Sequence, residues 1–461
     1  MFKKIQRIHM VGIGGSGMSG IAEVLLNRGY LITGSDLKLS PITARLVSLG
    51  ARINEGHSRD QLDNADLVVF SSAVKRNNPE VSEAQRRKIP TIPRAEMLAE
   101  LMRMKYGITI AGTHGKTTTT SMVATVLGNG GLDPTVVLGG RLDTFGSNAK
   151  LGTGEFMIVE ADESDRSFLL LSPTVAIVTN IDEDHMESYS SVEDLKNTFL
   201  QFVNKVPFYG VVVLCLDDSV TKSIVPKIKR RIITYGFCKE ADLHISNTTF
   251  QGSKSQFSLH DRGNLVGKFE LKIPGRHNIL NAVAAIAVGL DLGISVKSLC
   301  SSLTSFSGVD RRFQLKGAVN GITLIDDYAH HPTEIAVTLE AAKHLKYNRL
   351  VVIFQPHRYT RTQYCFGEFI KVLQAADLIF LTDIYAAGEE PIKGVTSNKL
   401  ISAIQQDGHQ HTHYLNNFNQ VSQLVSYLRD GDLVITMGAG NIWIVANSIL
   451  EELNREEVNR N

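Results

Sequence analysis

Two glycine-rich turns constrain this chain more than any other feature. "GIGGSG" (residues 12–17) follows the apolar run "RIHMV", and "GTHGKT" (112–117) follows "YGITIA"; a helical pattern comes after each. A strand that ends on glycines and feeds a helix lets the backbone approach an anion, with the helix dipole and its first N–H groups facing it. Such turns belong to parallel α/β layers, where strand carboxyl ends and helix N-termini share one rim. The rest of the chain reads the same way, with strand-like runs "LITGSD", "DLVVFSSAV", "FMIVEAD", "TVAIVTNID", "GVVVLCLDD", "GITLIDDYA", "RLVVIFQPH", "DLIFLTDIY" and "DLVITMGAG" alternating with helical patterns. One helix is expected to open at "SPITARL", with Ser40 as cap and Pro41 at its first position. Around 242–273 the pattern turns to short polar-alternating segments, expected as a small antiparallel patch inserted in the second unit.

At 461 residues the chain exceeds one core, and three α/β domains are expected. They are a Rossmann-like domain at 1–106, a P-loop ATPase-type parallel sheet with the antiparallel patch at 107–309, and a second Rossmann-like domain at 310–461. The formal net charge of +1 gives no electrostatic case for nucleic acid or an acidic membrane as partner. Cys215, Cys238, Cys300 and Cys365 are widely spaced and form no CxxC, which points to a reducing compartment without a zinc knuckle. The amino-terminal apolar stretch runs directly into the first glycine turn, as a strand does and a signal peptide does not. A cytoplasmic protein is expected.

In the first turn, Gly12, Gly14 and Gly17 form G-x-G-x-x-G, and Asp36 ends the next strand 19 residues after Gly17. This is the dinucleotide fingerprint, with an acid placed for a ribose. Any nucleotide diphosphate satisfies the same physics, so NAD is one reading and a tight turn without ligand another. "SSAV" (71–74) ends a later strand on the same rim.

The second turn is a shortened phosphate loop. The usual spacing would place its first glycine at position 110, which is Ile. Lys116 is suited to neutralise β/γ-phosphate charge, and Thr117 to reach Mg²⁺. Mg²⁺ takes oxygen ligands, and acids stand at two strand ends: Glu160 and Asp162 in "VEADESD", and Asp182 and Asp184 with His185 in "TNIDEDH". Singly, each acid reads equally well as a solvated cap. Two phosphate loops exceed what a simple dehydrogenase needs.

Together, "GTHGKTTTT", "EADESDRSFL", "NIDEDHME", "PGRHNILNAVAA", "GVDRRF", "DDYAHHPTEI", "FQPHRYTRT" and "IYAAGEEP" resemble the Mur ligases. The resemblance runs from "GIGGSGMSG" to "MGAGNI", and the shortened loop is that family's form. It implies ATP- and Mg²⁺-dependent phosphorylation of the lactyl carboxylate of UDP-N-acetylmuramate, then attack by the amine of L-alanine. It also implies an amino-terminal domain for the UDP-sugar, a central ATP domain, and a carboxyl-terminal domain that closes on ATP and binds the amino acid.

Carried over by motif, Gly14, Gly15, Ser16, Gly17, Met18, Asp36, Ser71 and Ser72 would face the UDP-sugar. Gly112, Thr113, His114, Gly115, Lys116, Thr117, Thr118, His277, Asn278, Asn281, Arg312 and Asp326 would face ATP, with Asp326 near the ribose. Thr117, Glu160 and His185 would form the metal shell, and Tyr328, His357, Arg358 and Arg361 the amino-acid pocket. Lys116, Glu160, His185 and Arg358 would carry the chemistry. For Asn278 the alternative is a helix cap, and for either pocket arginine a surface ion pair. His330, His331 and Glu334 imitate a zinc set, but adjacent histidines diverge on a helix and Pro332 follows. No match stands for the carbamylated lysine of some members; Lys196 and Lys205 lie outside any motif. The alternative activity is attachment of a preformed tripeptide to the same sugar, against which stands the direct run "SFLLLSPTVAIVTNIDEDH".

Overall fold

A computed structural model of the chain describes residues 5–71, 73–75, 77–142, 147–416 and 420–460. The described residues form three sheets and divide into two compact units. Unit one holds 1–248, 256–271 and 278–307; unit two holds 249–255, 272–277 and 308–461.

The first sheet is built from β1 (Arg7–Val11), β2 (Leu31–Asp36), β3 (Arg52–Glu55), β4 (Leu67–Phe70) and β5 (Thr91–Pro93), in the order β3-β2-β1-β4-β5. All its pairings are parallel. Helices α1 (Ser16–Asn27), α2 (Pro41–Ser48), α3 (Pro79–Arg86) and α4 (Arg94–Met102) connect the strands. Ser40 caps α2 as expected, in a reciprocal capping box with Thr43, and Pro41 takes the first helical position.

The second sheet has ten strands in the order β15-β14-β13-β12-β11-β10-β6-β9-β7-β8. They are β6 (Tyr106–Ala111), β7 (Thr135–Leu142), β8 (Ser147–Lys150), β9 (Phe156–Glu160), β10 (Val175–Val178), β11 (Val211–Cys215), β12 (Ile232–Gly236), β13 (Leu243–Gln251), β14 (Lys254–Asp261) and β15 (Asn264–Leu271). Their helices are α5 (Lys116–Asn129), α6 (Val192–Val203), α7 (Ser219–Ile224), α8 (Arg276–Asp291) and α9 (Val296–Ser305). The polar-alternating patch is present as β13–β15. β13 pairs in parallel with β12, so the patch extends the central sheet at its edge. One apolar core runs through both sheets of this unit: Met97, Leu98, Leu101 and Met102 of α4 belong to the same buried cluster as Val159, Phe168 and Phe199. That shared core is why the amino-terminal and central segments form one compact unit.

Unit two carries the third sheet, order β16-β17-β21-β18-β19-β20. Its strands are β16 (Gln314–Val319), β17 (Ile322–Asp327), β18 (Arg349–Phe354), β19 (Leu378–Leu381), β20 (Thr412–Tyr414) and β21 (Asp432–Met437). Only the β16–β17 pair is antiparallel among those described. Helices α10 (Pro332–Ala342), α11 (Tyr359–Tyr364), α12 (Phe366–Leu373), α13 (Ser397–Gln406), α14 (Val421–Val425) and α15 (Trp443–Arg460) complete it. Among the described residues, no helix is long and apolar enough to cross a membrane.

Candidate active site

The first glycine turn is held from within. Gly12 and Ile13 N–H both donate to the Ser35 carbonyl, at 2.8 and 3.1 Å. Gly14 N–H donates to Asp36 Oδ2 at 2.8 Å. A side chain at Gly14 would stand 2.9 Å from that carboxylate, and one at Gly17 would stand 2.8 Å from the Arg94 guanidinium. Asp36, expected at a ribose, therefore braces the turn as well. The donors left for an anion are the first-turn N–H groups of α1, those of Ser16, Gly17 and Met18. The Met18 side chain is buried, so that residue offers its backbone alone. Ser71 N–H bonds Val11 O, which keeps Ser71 on the same rim. Ser72 and the Ser16 side chain lie outside the described residues.

The second turn is shaped by the neighbouring strand. Thr113 N–H donates to the Asn180 carbonyl at 3.1 Å. His114 N–H donates to Asn180 Oδ1 at 2.8 Å, and the Thr113 hydroxyl accepts from Asp182 N–H at 2.8 Å. Those two loop N–H groups thus face the protein, and the first-turn N–H groups of α5, those of Lys116, Thr117 and Thr118, have no acceptor within the helix. Gly112 has φ +131°, and a Cβ there would lie 2.1 Å from Thr179 Oγ1. Gly115 caps α5 at φ +82° with Asn281 Oδ1 2.7 Å from where its Cβ would be. Asn281 is buried, receives the Thr119 hydroxyl at 3.1 Å, and lies beside the buried Asn278. Asn281 thus backs the loop at Gly115 and Thr119.

Lys116 Nζ donates to Glu163 Oε1 at 2.7 Å and to the carbonyls of Gly112 and Thr113 at 2.6 and 3.1 Å. Burial disfavours the lysine's charge, but Glu163, Asp162 and Glu160 outweigh it and hold its pKa above the ordinary lysine value. Burial pushes the Glu163 carboxyl up, and Lys116 opposes that. The far oxygen of Glu163 is buried without a hydrogen-bond partner, and the Tyr189 hydroxyl donates to the Glu163 carbonyl. Asp162, nearby, is 3.4 Å from Arg94 Nη2, the same arginine that lies on Gly17. Burial raises Asp162, while Ser164, Lys116 and Arg94 bring it below the usual carboxylate range.

Glu160 ends β9 and the "TNIDEDH" segment follows β10, the two strands that flank β6. Glu160, and Asp182 with its Oδ2 3.0 Å from His114 Nε2, thus stand beside the loop, carboxylates of the kind a hard divalent cation takes. His185 has φ +56°, with Nε2 3.5 Å from Asp184 Oδ2 and Nδ1 3.6 Å from Glu187 Oε1. A positive φ at a non-glycine residue is costly backbone geometry of the kind that gathers at working sites.

Unit two gathers a second group. Tyr328 has the Arg311 and Arg312 guanidinium carbons each 5.0 Å from its ring centroid. His330 packs edge-on against Tyr328 and against His357, and His357 stacks on Tyr385 at 5.5 Å. Arg361 is buried, its Nη1 3.5 Å from His357 Nδ1. Arg358 caps α11 at φ +67° and its N–H donates to the Tyr385 carbonyl at 2.8 Å. The structure thus brings Tyr328, His357, Arg358 and Arg361 to one place. Glu334 accepts from the His330 and His331 N–H groups in the capping box of α10, so the "AHHPTE" run starts a helix.

Asp326 is fully buried, with Oδ2 3.0 Å from Arg311 Nε and Oδ1 receiving the Thr436 hydroxyl at 2.6 Å. Each oxygen has a partner inside the protein, so a ribose would meet only the remaining lone pairs. Its neighbour Asp327 accepts from Phe313 and Ala329 N–H, both at 2.7 Å, and burial pushes it up to about 6 against the pull of Arg312. Burial, then Arg312, lowers His277 to about 4.

Sequence reasoning missed Glu163, Asn180, Arg94, Arg311 and Tyr385. Glu163 stands among three other acids in "EADESD", and Arg311 directly precedes Arg312; nothing in the spacing separates them from their neighbours.

Residues 7–106 match the model of the Mur ligase family catalytic domain, 110–289 the Mur ligase middle domain, and 311–440 the Mur ligase glutamate ligase domain. The chain is 55% identical over 454 residues to a UDP-N-acetylmuramate–L-alanine ligase of Geotalea daltonii, covering 98% of this chain and 99% of that one. It is 53% identical over 456 residues to the ligase of the same name from Geobacter sulfurreducens, with 98% and 99% covered. In structure it is similar to UDP-N-acetylmuramate-alanine ligase from Thermotoga maritima, with a TM-score of 0.84, 31% identity, and 98% and 99% covered. A murein peptide ligase from Psychrobacter arcticus is also similar, with a TM-score of 0.71, 26% identity, and 97% and 98% covered.

Proposed function

The chain belongs to the Mur ligase family, and from that premise we infer that it joins L-alanine to UDP-N-acetylmuramate with consumption of ATP. It is an acid–amino-acid ligase that forms ADP and phosphate, an early step of peptidoglycan synthesis. The observation that carries the reading is identity above half along the whole chain with ligases of that name, in a chain whose shortened loop sets Lys116 among acids.

The chemistry has two steps. A carboxylate is a poor electrophile, so a lactyl carboxylate oxygen first attacks the γ-phosphorus of ATP and ADP leaves. The amine of L-alanine then attacks the carbonyl carbon of the acyl phosphate; the C–O bond to phosphate breaks, a proton leaves the nitrogen, and an amide remains. Catalysis is mostly positioning and charge stabilisation. Lys116 neutralises the β- and γ-phosphates, which requires its ammonium to turn from Glu163 toward the nucleotide. The first-turn N–H groups of α5 hold the phosphate oxygens.

Thr117, Glu160 and His185 are assigned to Mg²⁺, and the acids around the loop suit that ion. Bound there, Mg²⁺ would offset charge on the phosphates. The α1 N-terminus with Gly14, Gly15, Ser16 and Gly17 is assigned to the UDP-sugar. Tyr328, His357, Arg358 and Arg361 are assigned to the amino acid, whose carboxylate suits a guanidinium fork. His277, Asn278, Asn281, Arg312 and Asp326 are assigned to the nucleotide. Residues 1–106 and 310–461 are read as Rossmann-like, 107–309 as a P-loop domain, and the setting as cytoplasmic.

The test is phosphate release from ATP with UDP-N-acetylmuramate present, offering L-alanine and the murein tripeptide separately. Release with L-alanine, dependent on both substrates, is expected. Release only with tripeptide would replace this reading with the recycling activity.

A further inference from the structure

Behind the first glycine turn lies a group of polar side chains that neither step of the reaction uses. Glu80, the second residue of α3, is fully buried. Its Oε2 receives the Ser35 hydroxyl at 2.5 Å and lies 3.2 Å from His57 Nδ1. Its Oε1 lies 3.6 Å from Nε2 of the buried His9. With its amide nitrogen turned inward, Gln61 donates to that same Oε1 at 2.5 Å. The far side of the His9 ring meets Thr33 Oγ1 at 2.9 Å, and Ser35 Oγ is 2.9 Å from His57 Nδ1.

A carboxylate withdrawn from water costs several kcal/mol unless its oxygens are matched, and apolar packing serves stability as well. Burial pushes the Glu80 carboxyl up, but the Ser35 hydroxyl bond and the nearby His9 and His57 rings bring it below its ordinary value. The expense makes sense through the residue Glu80 grips. The carbonyl of Ser35 holds the Gly12 and Ile13 N–H groups, and the next residue, Asp36, holds Gly14 N–H. Ser35 is therefore a hinge pin: its hydroxyl is fixed by α3, and its carbonyl fixes the turn.

We propose that Glu80 is a positioning residue for the UDP-sugar, acting through Ser35 to set the height of the Gly12–Gly15 turn against the start of α1. The inference rests on the assignment of that turn to the UDP-sugar. Glu80 touches no substrate. It fixes a carbonyl that in turn fixes the backbone that binds. Loss of the link lets the turn relax by the few tenths of an ångström that weaken several N–H contacts at once.

The test compares Glu80→Ala, Ser35→Ala and the double variant, measuring the KM for UDP-N-acetylmuramate, the KM for ATP, kcat and Tm. The sugar KM is expected to rise about tenfold or more in each single variant, with the ATP KM and kcat within about twofold. The double variant should be no worse than the worse single, because both remove one link. Parallel rises in both KM values would make Glu80 merely structural and overturn the proposal, as would an unchanged sugar KM in a folded variant. If Glu80→Ala does not fold, Ser35→Ala decides alone, since it deletes one oxygen. Gly14→Val separates the two levels. A folded Gly14→Val with an unchanged sugar KM defeats the assignment of the turn itself. Its failure to bind alongside a normal Ser35→Ala defeats the role of Glu80 only.

Discussion

Lys116 Nζ and Glu163 Oε1 lie 2.7 Å apart, in a chain whose phosphate loop would put that ammonium on a nucleotide. The glutamate and the nucleotide compete for one cation. Lys116→Ala is expected to abolish phosphate release while leaving UDP-sugar binding nearly intact, as read by calorimetry on the folded variant. Lost sugar binding would show that the two phosphate sites are not independent.

Glu163→Gln tests the competition from the other side. It removes a negative charge beside the phosphates and frees Lys116 from its strongest partner. ADP is expected to bind more tightly, by roughly tenfold at most. Unchanged or weaker binding in calorimetry would mean that Glu163 orients the lysine instead of restraining it.

Gly112→Ala addresses the loop's geometry. At φ +131°, with Thr179 Oγ1 2.1 Å from the new methyl carbon, neither strain nor clash is avoidable. A loss of roughly 2–4 kcal/mol in urea unfolding is expected. ATP-dependent phosphate release should fall with it.

Asp327 and His277 predict opposed pH slopes. The folded Asp327 pKa of about 6 exceeds its ordinary 3.8, so the native state binds the extra proton, and this group's contribution to stability declines as pH rises through that window. His277 falls from 6.5 to about 4; the unfolded state binds the extra proton, and stability rises with pH between those values. The two offset each other between about pH 4 and 6. Asp327→Asn should uncover the histidine slope, making unfolding free energy climb with pH more steeply than wild type, by about 2 kcal/mol across the window. Parallel curves for the two proteins would refute it.

Arg358, strained at φ +67°, supplies the prediction for unit two. Arg358→Lys keeps the charge but loses the planar fork, so the KM for L-alanine should rise about tenfold while that for the UDP-sugar stays level. Equal effects on both would remove Arg358 from the amino-acid site.

Legibility in the sequence followed the range of the interactions involved. Ser40 and Pro41 announce α2 because a cap is local chemistry, and the glycines of both turns announce themselves through backbone freedom. The three-residue β5, with Pro93 in it, carries no strand signal. The polar alternation of β13–β15 marked strands, yet which sheet they join depends on pairing with β12, a contact that periodicity does not encode. The Arg311–Asp326 pair falls in the same class. Adjacent arginines and adjacent aspartates look alike in one dimension, and only the alternation along β17 decides which acid turns inward to Arg311 and Thr436.

Asn180, two residues beyond β10, receives the Thr113 N–H on its carbonyl and the His114 N–H on its side chain. The mould for the phosphates is cast when the sheet forms, ahead of any cargo. An inhibitor shaped to this loop would meet a finished surface, and its affinity would turn on how well it displaces a single lysine.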